Sequence, residues 1–189
     1  MNFAMDLRAR LLLAACWIAW MFPFVFRAPH NQKRPSITRR GATLVGLLME
    51  TAAIFICAAA GMRAHTPPAW WRTAGILVFS APSIGLAWSA VKHLGKQFRV
   101  SAGLYEDHEL VRTGAYSIVR HPIYSSLLGM LVATMMVSTP PEWAAASLAL
   151  FIAGTEIRVR TEDRLLASRF PQSFEEYRRE VPAYIPFVR

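Results

Sequence analysis

The hydrophobic residues of this chain fall into five long blocks, separated by polar segments that are rich in basic residues. No block contains Lys or Arg, and only Glu50 and Glu156 place an acid inside one. The blocks span 11–26, 41–62, 73–91, 123–138 and 143–157. The hydrocarbon core of a bilayer needs about 20 apolar residues of helix, with a range of about 17–25. The pattern therefore predicts helices that cross a membrane.

The lengths of the blocks indicate how many helices cross. The second and third blocks are long enough alone, and the first becomes long enough if 7–13 joins it, with Arg8 and Arg10 reaching to the interface. The fourth and fifth blocks are short and lie four residues apart, which predicts a helical hairpin. We therefore expect an all-α, polytopic integral membrane protein with five transmembrane helices, the last two forming a hairpin.

The basic residues predict the orientation of these helices. Of 21 Lys and Arg, five follow the first block, five follow the third and seven follow the fifth, which leaves four for the other side. Cytoplasmic loops attract such an excess, so the N-terminus is expected outside and the C-terminus inside a bacterial-type inner or cell membrane. Because orientation accounts for the net charge of +9, membrane lipids are the expected partners and no nucleic acid is.

Several classes of soluble enzyme are excluded by motifs that the sequence lacks. The glycines never fall as Gly-x-Gly-x-x-Gly, the pattern of a dinucleotide-binding loop. No Ser, Cys or Asp occupies a nucleophile motif, and no His/Cys cluster has zinc spacing. Cys16 and Cys57 lie inside apolar blocks, so neither a disulfide nor a metal site is expected.

Polar residues divide the single membrane domain, 1–189, into two parts. Residues 1–91 are predicted to form a three-span scaffold, whereas residues 92–189 hold nearly all of the patterned polarity. Near the end of the chain, apolar residues recur at helical spacing over 161–177, which predicts a cytoplasmic C-terminal helix that the following prolines end.

The first polar cluster covers 114–124, directly before the fourth block. Pro122 suits the first turn of a helix, where its missing N–H would have no partner anyway, so His121 is predicted at a helix N-terminus at membrane depth. In the alternative interpretation, Arg120 anchors the chain at the cytoplasmic surface, and Tyr116 and Tyr124 are ordinary interface aromatics. The His-Pro pair with its flanking tyrosines favours a binding site.

The second cluster follows the fifth block, where Arg158 and Glu162 are four residues apart and share one helix face. Arg160 and Glu156 are predicted to face elsewhere. The alternative is an ordinary solvated ion pair. The position of the pair, level with His121 at the cytoplasmic end of the hairpin, favours function, because an Arg beside a cavity can bind a carboxylate bidentately and a Glu can bind an ammonium.

Together the two clusters resemble the signature of the isoprenylcysteine carboxyl methyltransferase family and its phospholipid methyltransferase relatives. The matching motifs are His108-Glu-Leu-Val-Arg-Thr-Gly114-Ala-Tyr116, Arg120-His121-Pro122-x-Tyr124 and Arg158-x-x-x-Glu162-Asp163, with a tail to Phe187. The departures are Ser126 for a Gly, Asp163 for a Glu and Pro171 for a Gly.

This resemblance implies an enzyme that uses S-adenosylmethionine (SAM), bound in a cytoplasm-facing pocket of the second half of the chain. The acceptor would be a lipophilic small molecule or lipidated substrate that reaches the site sideways from the bilayer. Arg158 and Glu162 are the implied catalytic residues. The implied cofactor-binding residues are His108, Leu110, Val111, Gly114, Tyr116, Arg120, His121, Pro122 and Tyr124.

The residues leave the chemistry of the acceptor open. Carboxyl methylation of a prenylcysteine-like or other lipophilic acid is expected; Arg158 would orient the carboxylate, and positioning would supply most of the rate. A phospholipid amine would need a base, for which Glu162 is the candidate. An NADPH-dependent sterol-type reductase and a non-enzymatic membrane protein are the remaining alternatives.

Overall fold

The chain folds into helices, which confirms the predicted all-α class. The computed structural model describes residues 2–26, 37–38, 40–63, 70–98, 103–104 and 109–185. The α-helices within these ranges are α1 (Asn2–Phe26), α2 (Arg40–Arg63), α3 (Trp70–Leu94), α4 (Pro122–Ser138), α5 (Pro141–Arg169) and α6 (Pro171–Glu180). Two short strands, β1 (Ile37–Thr38) and β2 (Gly103–Leu104), pair antiparallel. Single 3₁₀ turns occupy Gly95–Gln97 and Gly114–Ser117.

Three of these helices are long and apolar enough to cross a membrane. The spanning segments are Leu7–Phe26, Gly41–Arg63 and Trp70–Leu94, which match the first three predicted blocks. The apolar part of α4, Pro122–Val137, is shorter, and α5 carries its charged residues mainly in its second half. The three long helices indicate an integral membrane protein, and a crossing by α4 and α5 stays a prediction.

The tail differs from the single helix predicted over 161–177. α5 continues through Thr161 to Arg169, and α6 begins after a break at Phe170. Pro171 explains the break, because it has no N–H and its ring would clash with the preceding turn of a continuous helix. The first position of a new helix accepts the same residue.

α2 and α5 approach each other closely at a pair of glycines. α3 packs against α1 and α4, and α2 packs against α4 and α5. A Cβ built on Gly46 of α2 would lie 2.5 Å from Cγ of Arg158 and 2.6 Å from the carbonyl oxygen of Gly154 on α5. Small residues let helix backbones in a membrane come this close. The two glycines therefore fix how α5 presents Arg158.

The segment after α6 is bound to the N-terminus of α4. The backbone N–H groups of Arg120 and His121 donate to the carbonyls of Pro182 and Ala183, each at 2.8 Å. The Arg120 guanidinium also donates to the carbonyl of Val181 at 2.5 Å. A helix offers no acceptors to the N–H groups at its own N-terminus, so this tail segment supplies them and holds the start of α4 in place.

Candidate functional site

Arg158 lies buried between α2 and α5, where its ion-pair partner is Glu50. Nη1 of Arg158 is 2.6 Å from Oε2 of Glu50. The hydroxyl of Thr155, one turn before Arg158, donates to the other carboxylate oxygen at 2.9 Å. The guanidinium also lies over the ring of Tyr124, 4.8 Å from its centroid. These contacts fix the guanidinium at the inner end of the site.

His121 lies between two carboxylates of α5. Its Nδ1 is 3.2 Å from Oε2 of Glu162, and its Nε2 is 2.7 Å from Oδ1 of Asp163. The second oxygen of Asp163 is 3.2 Å from Nη2 of Arg120, and the hydroxyl of Tyr124 donates to Glu162. The first polar cluster and the second are therefore joined side chain to side chain.

The carboxylates keep His121 charged. Burial alone would lower the pKa of His121, but the hydrogen bonds to Asp163 and Glu162 outweigh it and raise the pKa to about 9. For Asp163, burial would raise the pKa, but the hydrogen bond and charge of His121 and the nearby Arg120 lower it. At neutral pH, His121 is therefore an imidazolium with both nitrogens donating.

The charge on His121 should make the stability of the protein depend on pH above neutrality. An unperturbed His has a pKa of about 6.5, and the folded value is about 9. Because the folded value is higher, the stabilisation is fully present below about pH 6.5 and is lost as the pH rises through 9. Between pH 6 and 9.5, wild type should lose on the order of 2–3 kcal/mol relative to His121→Gln. Thermal unfolding of both proteins in detergent measures this loss of stability. If the difference in melting temperature between wild type and His121→Gln does not change with pH, His121 is not charged.

A cavity of about 420 Å³ opens beside these side chains, a size within the range of about 300–1,000 Å³ that is usual for small-molecule pockets. Its polar wall includes Arg158, Glu162 and His121. Its apolar wall comes from α1, α2 and α4, through Trp20, Met21, Phe24, Leu47, Ile123 and Leu127. The cavity thus joins a charged compartment to an apolar one.

Most of the residues predicted for the site line this one cavity. They are Leu110, Val111, Tyr116, Arg120, His121, Pro122, Tyr124, Arg158 and Glu162. His108 lies outside the residues that the structure describes. Gly114 is not among the described residues that line the cavity.

Gly114 instead lets a turn pass close to α3. Its φ of +63° is in the left-handed region that favours glycine. A Cβ at this position would overlap the ring of His93. The glycine was predicted from its motif as a cofactor contact, but its described surroundings give it a role in shaping the 114–117 turn, which carries Tyr116 to the cavity.

Sequence reasoning missed the part of the cavity that the predicted scaffold contributes. Glu50 was visible as the single acid of the second block, but its partner lies on α5, far along the sequence. Trp20 and Phe24 had no local signal, because apolar residues that face a cavity look like those that face lipid. Trp20 is held by a hydrogen bond from its indole N–H to Ser126, at 3.0 Å.

An ion pair on α5 lies apart from the residues that line the cavity. Arg160 is 3.0 Å from Glu156 in an i,i+4 ion pair, and its side chain is 64% exposed. The predicted orientation of Arg160 and Glu156 away from the Arg158 face is therefore confirmed. Arg160 provides a natural control for Arg158.

Six charged side chains in and behind the cavity wall pair with one another, and Glu109 adds a further carboxylate to the lining. The cations are Arg120, His121 and Arg158, and the anions in contact with them are Glu50, Glu162 and Asp163. Within the described ranges, no group of three or more His, Cys, Asp or Glu side chains is placed to hold a metal ion. With His121 protonated, the network carries no net charge.

Comparison with known proteins gives a consistent set of relatives. The chain is 36% identical over 115 residues to the cobalt-zinc-cadmium resistance protein CzcN of Cupriavidus metallidurans, covering 60% of the chain and 48% of that protein. It is 34% identical over 112 residues to protein-S-isoprenylcysteine O-methyltransferase of Schizosaccharomyces pombe, covering 53% and 43%. With the Arabidopsis thaliana protein-S-isoprenylcysteine O-methyltransferase B it shares 30% identity over 131 residues, covering 68% and 64%. The chain spans about half the length of the first of these relatives.

The family match covers the region that forms most of the site. The sequence pattern of the isoprenylcysteine carboxyl methyltransferase family matches residues 74–168. That range includes α4, most of α5 and both polar clusters. Since the match covers half of the chain, the protein belongs to the isoprenylcysteine carboxyl methyltransferase family.

Proposed function

We propose that this protein transfers a methyl group from SAM to the carboxylate of a lipophilic acid of the prenylcysteine type. The observation that carries the proposal is the shared cavity, in which Arg158 and Glu162 stand beside an apolar wall from α1 and α2. Family membership supports the reaction class. A water-soluble cofactor and an acceptor with an apolar tail need a site with both kinds of surface.

The charged side chains of the cavity support a carboxylate acceptor over an amine. Arg158 lines the cavity beside its apolar wall, and a guanidinium binds a carboxylate through parallel N–H donors. Two carboxylates that line the cavity, those of Glu109 and Glu162, suit the cationic groups of the cofactor. An anionic acceptor therefore has a cation to bind, whereas an amine would compete with the cofactor for these two acids.

The residues present fit SAM. Glu109 and Glu162 offer carboxylates to its ammonium and sulfonium groups. Tyr116 and Tyr177 also line the cavity, and one face of the Tyr177 ring is covered by the Arg112 guanidinium, 5.4 Å from the ring centroid. Cations are attracted to such faces at distances of about 6 Å or less. We propose that these residues, with Arg120 and His121 at the same wall, hold the cofactor.

The reaction then depends mainly on how the cofactor and the acceptor are positioned relative to each other. When bound, SAM would supply an electrophilic methyl group: its sulfur would keep the electron pair of the S–C bond that breaks, and an oxygen of the acceptor carboxylate would supply the pair for the new bond to the methyl carbon. Because a carboxylate is already a nucleophile, no residue has to remove a proton. Arg158 orients the carboxylate through its fork of N–H donors. Glu162, which accepts hydrogen bonds from Tyr124 and contacts His121, is occupied as an acceptor and poorly placed to serve as the base that an amine would need.

The packing of the helices supports a side approach to the cavity. α1 packs on α3 and α4, whereas α2 packs on α4 and α5; in the described part of the chain α1 and α2 make no extensive contact. Trp20 and Phe24 of α1 and Leu47 of α2 line the cavity from the two sides of this gap. We propose that the apolar tail of the acceptor lies between α1 and α2 and enters from the bilayer.

We also propose that the site faces the cytoplasm, with the N-terminus outside. Single cysteines introduced at Ser36 and Ser101, in the basic segments after the first and third blocks, should resist an impermeant thiol reagent in intact cells. The background protein lacks Cys16 and Cys57. Labelling of either position from outside would overturn this orientation, while labelling only after permeabilisation supports it.

A ligand and transfer assay tests the proposed activity. SAM and its demethylated product should raise the melting temperature in detergent, NADPH should not, and radiolabelled methyl should pass to an N-acetylated S-prenylcysteine but not to phosphatidylethanolamine. Stabilisation by NADPH alone would indicate a reductase, and transfer to the amine would replace the acceptor class. No response to any of these compounds would exclude the proposed enzyme activity.

A further inference from the structure

Glu50 is a buried acid in the middle of an apolar spanning helix. It is 1% exposed and belongs to the spanning segment Gly41–Arg63. Ionisable groups at such positions are costly and are usually retained for a function. Both of its carboxylate oxygens are occupied, one by Nη1 of Arg158 at 2.6 Å and the other by the hydroxyl of Thr155 at 2.9 Å.

The contacts of Glu50 set the direction of the Arg158 side chain. The stem of Arg158 runs across Gly46, one turn before Glu50 on α2, where a Cβ would come within 2.5 Å of its Cγ. The guanidinium then lies between the carboxylate of Glu50 and the ring of Tyr124, whose centroid is 4.8 Å away. An arginine side chain has several rotatable bonds whose freedom is lost when it is ordered, and these contacts remove that freedom before any ligand binds.

We propose that Glu50 is a positioning residue for methyl transfer: it holds the guanidinium of Arg158 at the cavity wall, where this group meets the acceptor carboxylate. The inference rests on the proposed function. It extends the site into α2, a helix outside the matched region of the family. In this role Glu50 pre-organises the site, because a guanidinium that is already fixed does not have to be ordered when the acceptor binds.

Two substitutions at Glu50 distinguish the effect of the position of Arg158 from the effect of the charge of Glu50. In Glu50→Gln, the amide oxygen can still accept from Arg158 while its NH₂ group donates to the Thr155 hydroxyl, so the geometry survives without the charge. In Glu50→Ala, both contacts are lost. We expect kcat/KM for the acid acceptor to fall by about 100-fold in Glu50→Ala and by less than about tenfold in Glu50→Gln. Thr155→Val removes one of the two contacts of the Glu50 carboxylate, so its kcat/KM should lie between those of Glu50→Ala and Glu50→Gln.

The control is a buried polar contact between spanning helices that lies apart from the cavity. Ser80 of α3 donates to the sulfur of Cys16 on α1 at 3.2 Å, so Ser80→Ala removes a comparable contact without touching Arg158. Each variant is normalised to the fraction that binds the demethylated cofactor, which counts folded sites. The affinity for that cofactor should be the same in all variants.

A binding measurement that needs no turnover accompanies the kinetics. In the presence of the demethylated cofactor, calorimetry compares an N-acetylated S-prenylcysteine with the corresponding amide, which lacks the carboxylate. Wild type and Glu50→Gln should prefer the acid, and Glu50→Ala should bind acid and amide about equally. This loss of discrimination is specific to the position of Arg158, because a loss of folding would reduce the number of sites and leave the preference intact.

The outcomes distinguish the two proposals. If wild type methylates the acid and Glu50→Ala keeps normal kinetics and normal preference for the acid, the role of Glu50 is overturned while the function stands. If wild type neither methylates the acid nor prefers it over the amide, the proposed function fails and the role of Glu50 fails with it. If Glu50→Gln is as impaired as Glu50→Ala, charge rather than position is what Glu50 supplies, and the positioning role is also overturned.

Discussion

Arg158→Ala and Glu162→Ala should each lower methyl transfer by about two orders of magnitude or more, which corresponds to about 2.7 kcal/mol of transition-state binding. Both side chains line the cavity, where a charge contact has more effect than on an open surface. Arg158 is the proposed anchor of the acceptor. Glu162 is a proposed contact of the cofactor, and its Oε2 is 3.2 Å from Nδ1 of His121. Radiolabelled methyl transfer to a lipophilic thioether acid measures the loss, and size-exclusion profiles check folding.

Arg160→Ala is the matched control for this pair. Arg160 is on the same helix, but it is 64% exposed and paired with Glu156. Helix-surface ion pairs at this spacing contribute about 0.3–0.5 kcal/mol, and Glu156 keeps its hydrogen bond from Tyr184 at 2.8 Å, so loss of Arg160 should leave turnover nearly intact. Well-folded Arg158 and Glu162 variants with near-normal activity would remove both residues from the site. An inactive Arg160 variant would show that the wrong face of α5 had been assigned.

Gly46→Ala should both destabilise the protein and lower methyl transfer by at least about tenfold. The new Cβ would meet the carbonyl oxygen of Gly154 at 2.6 Å and Cγ of Arg158 at 2.5 Å. The backbone oxygen cannot turn aside, so α2 and α5 must separate, and overpacking of this kind costs about 1–3 kcal/mol. The same displacement moves Arg158 relative to Glu50. Melting temperature in detergent and the transfer assay report the two effects separately.

Gly41→Ala serves as its control because a Cβ at Gly41 meets nothing within 4 Å. Both glycines lie on α2. Gly41 is in the first turn, where the preference for Ala is smaller than the about 1 kcal/mol of a helix interior. Gly41→Ala should leave activity unchanged and stability unchanged or slightly raised. If Gly46→Ala behaves in the same way, the close crossing of α2 and α5 is not needed by the site.

The spanning helices could be predicted because membrane burial acts on every residue of a block. A run of about 20 apolar residues leaves few other structures for 41–62 or 73–91, and the helices Gly41–Arg63 and Trp70–Leu94 follow them closely. The end of α5 was harder to predict, because the helix continues from an apolar block into charged sequence without a turn residue. Only Pro171 marks the break between α5 and α6.

The site could be predicted in part, to the extent that its chemistry is local. The 114–124 cluster and the Arg158–Glu162 spacing both point to one cavity, because the residues that carry the chemistry are close together in sequence. The partner of Arg158 could not be predicted in the same way. Glu50 is 108 positions earlier, and helix spacing gives no information on which helix lies opposite. Asp163 appeared as a departure from the family pattern, and only the fold shows it against His121 at 2.7 Å.

The bonds from the tail to the start of α4 determine when in biosynthesis the site can be completed. The N–H groups of Arg120 and His121 find their acceptors only in Pro182 and Ala183, about 60 residues later. At about 5–20 residues per second, a ribosome needs several seconds to make that stretch. During this interval the three spanning helices α1, α2 and α3 can already lie in the bilayer while the polar end of the cavity has no closing segment. Insertion into the membrane and assembly of the site are therefore separate events, and the second waits for the last part of the chain.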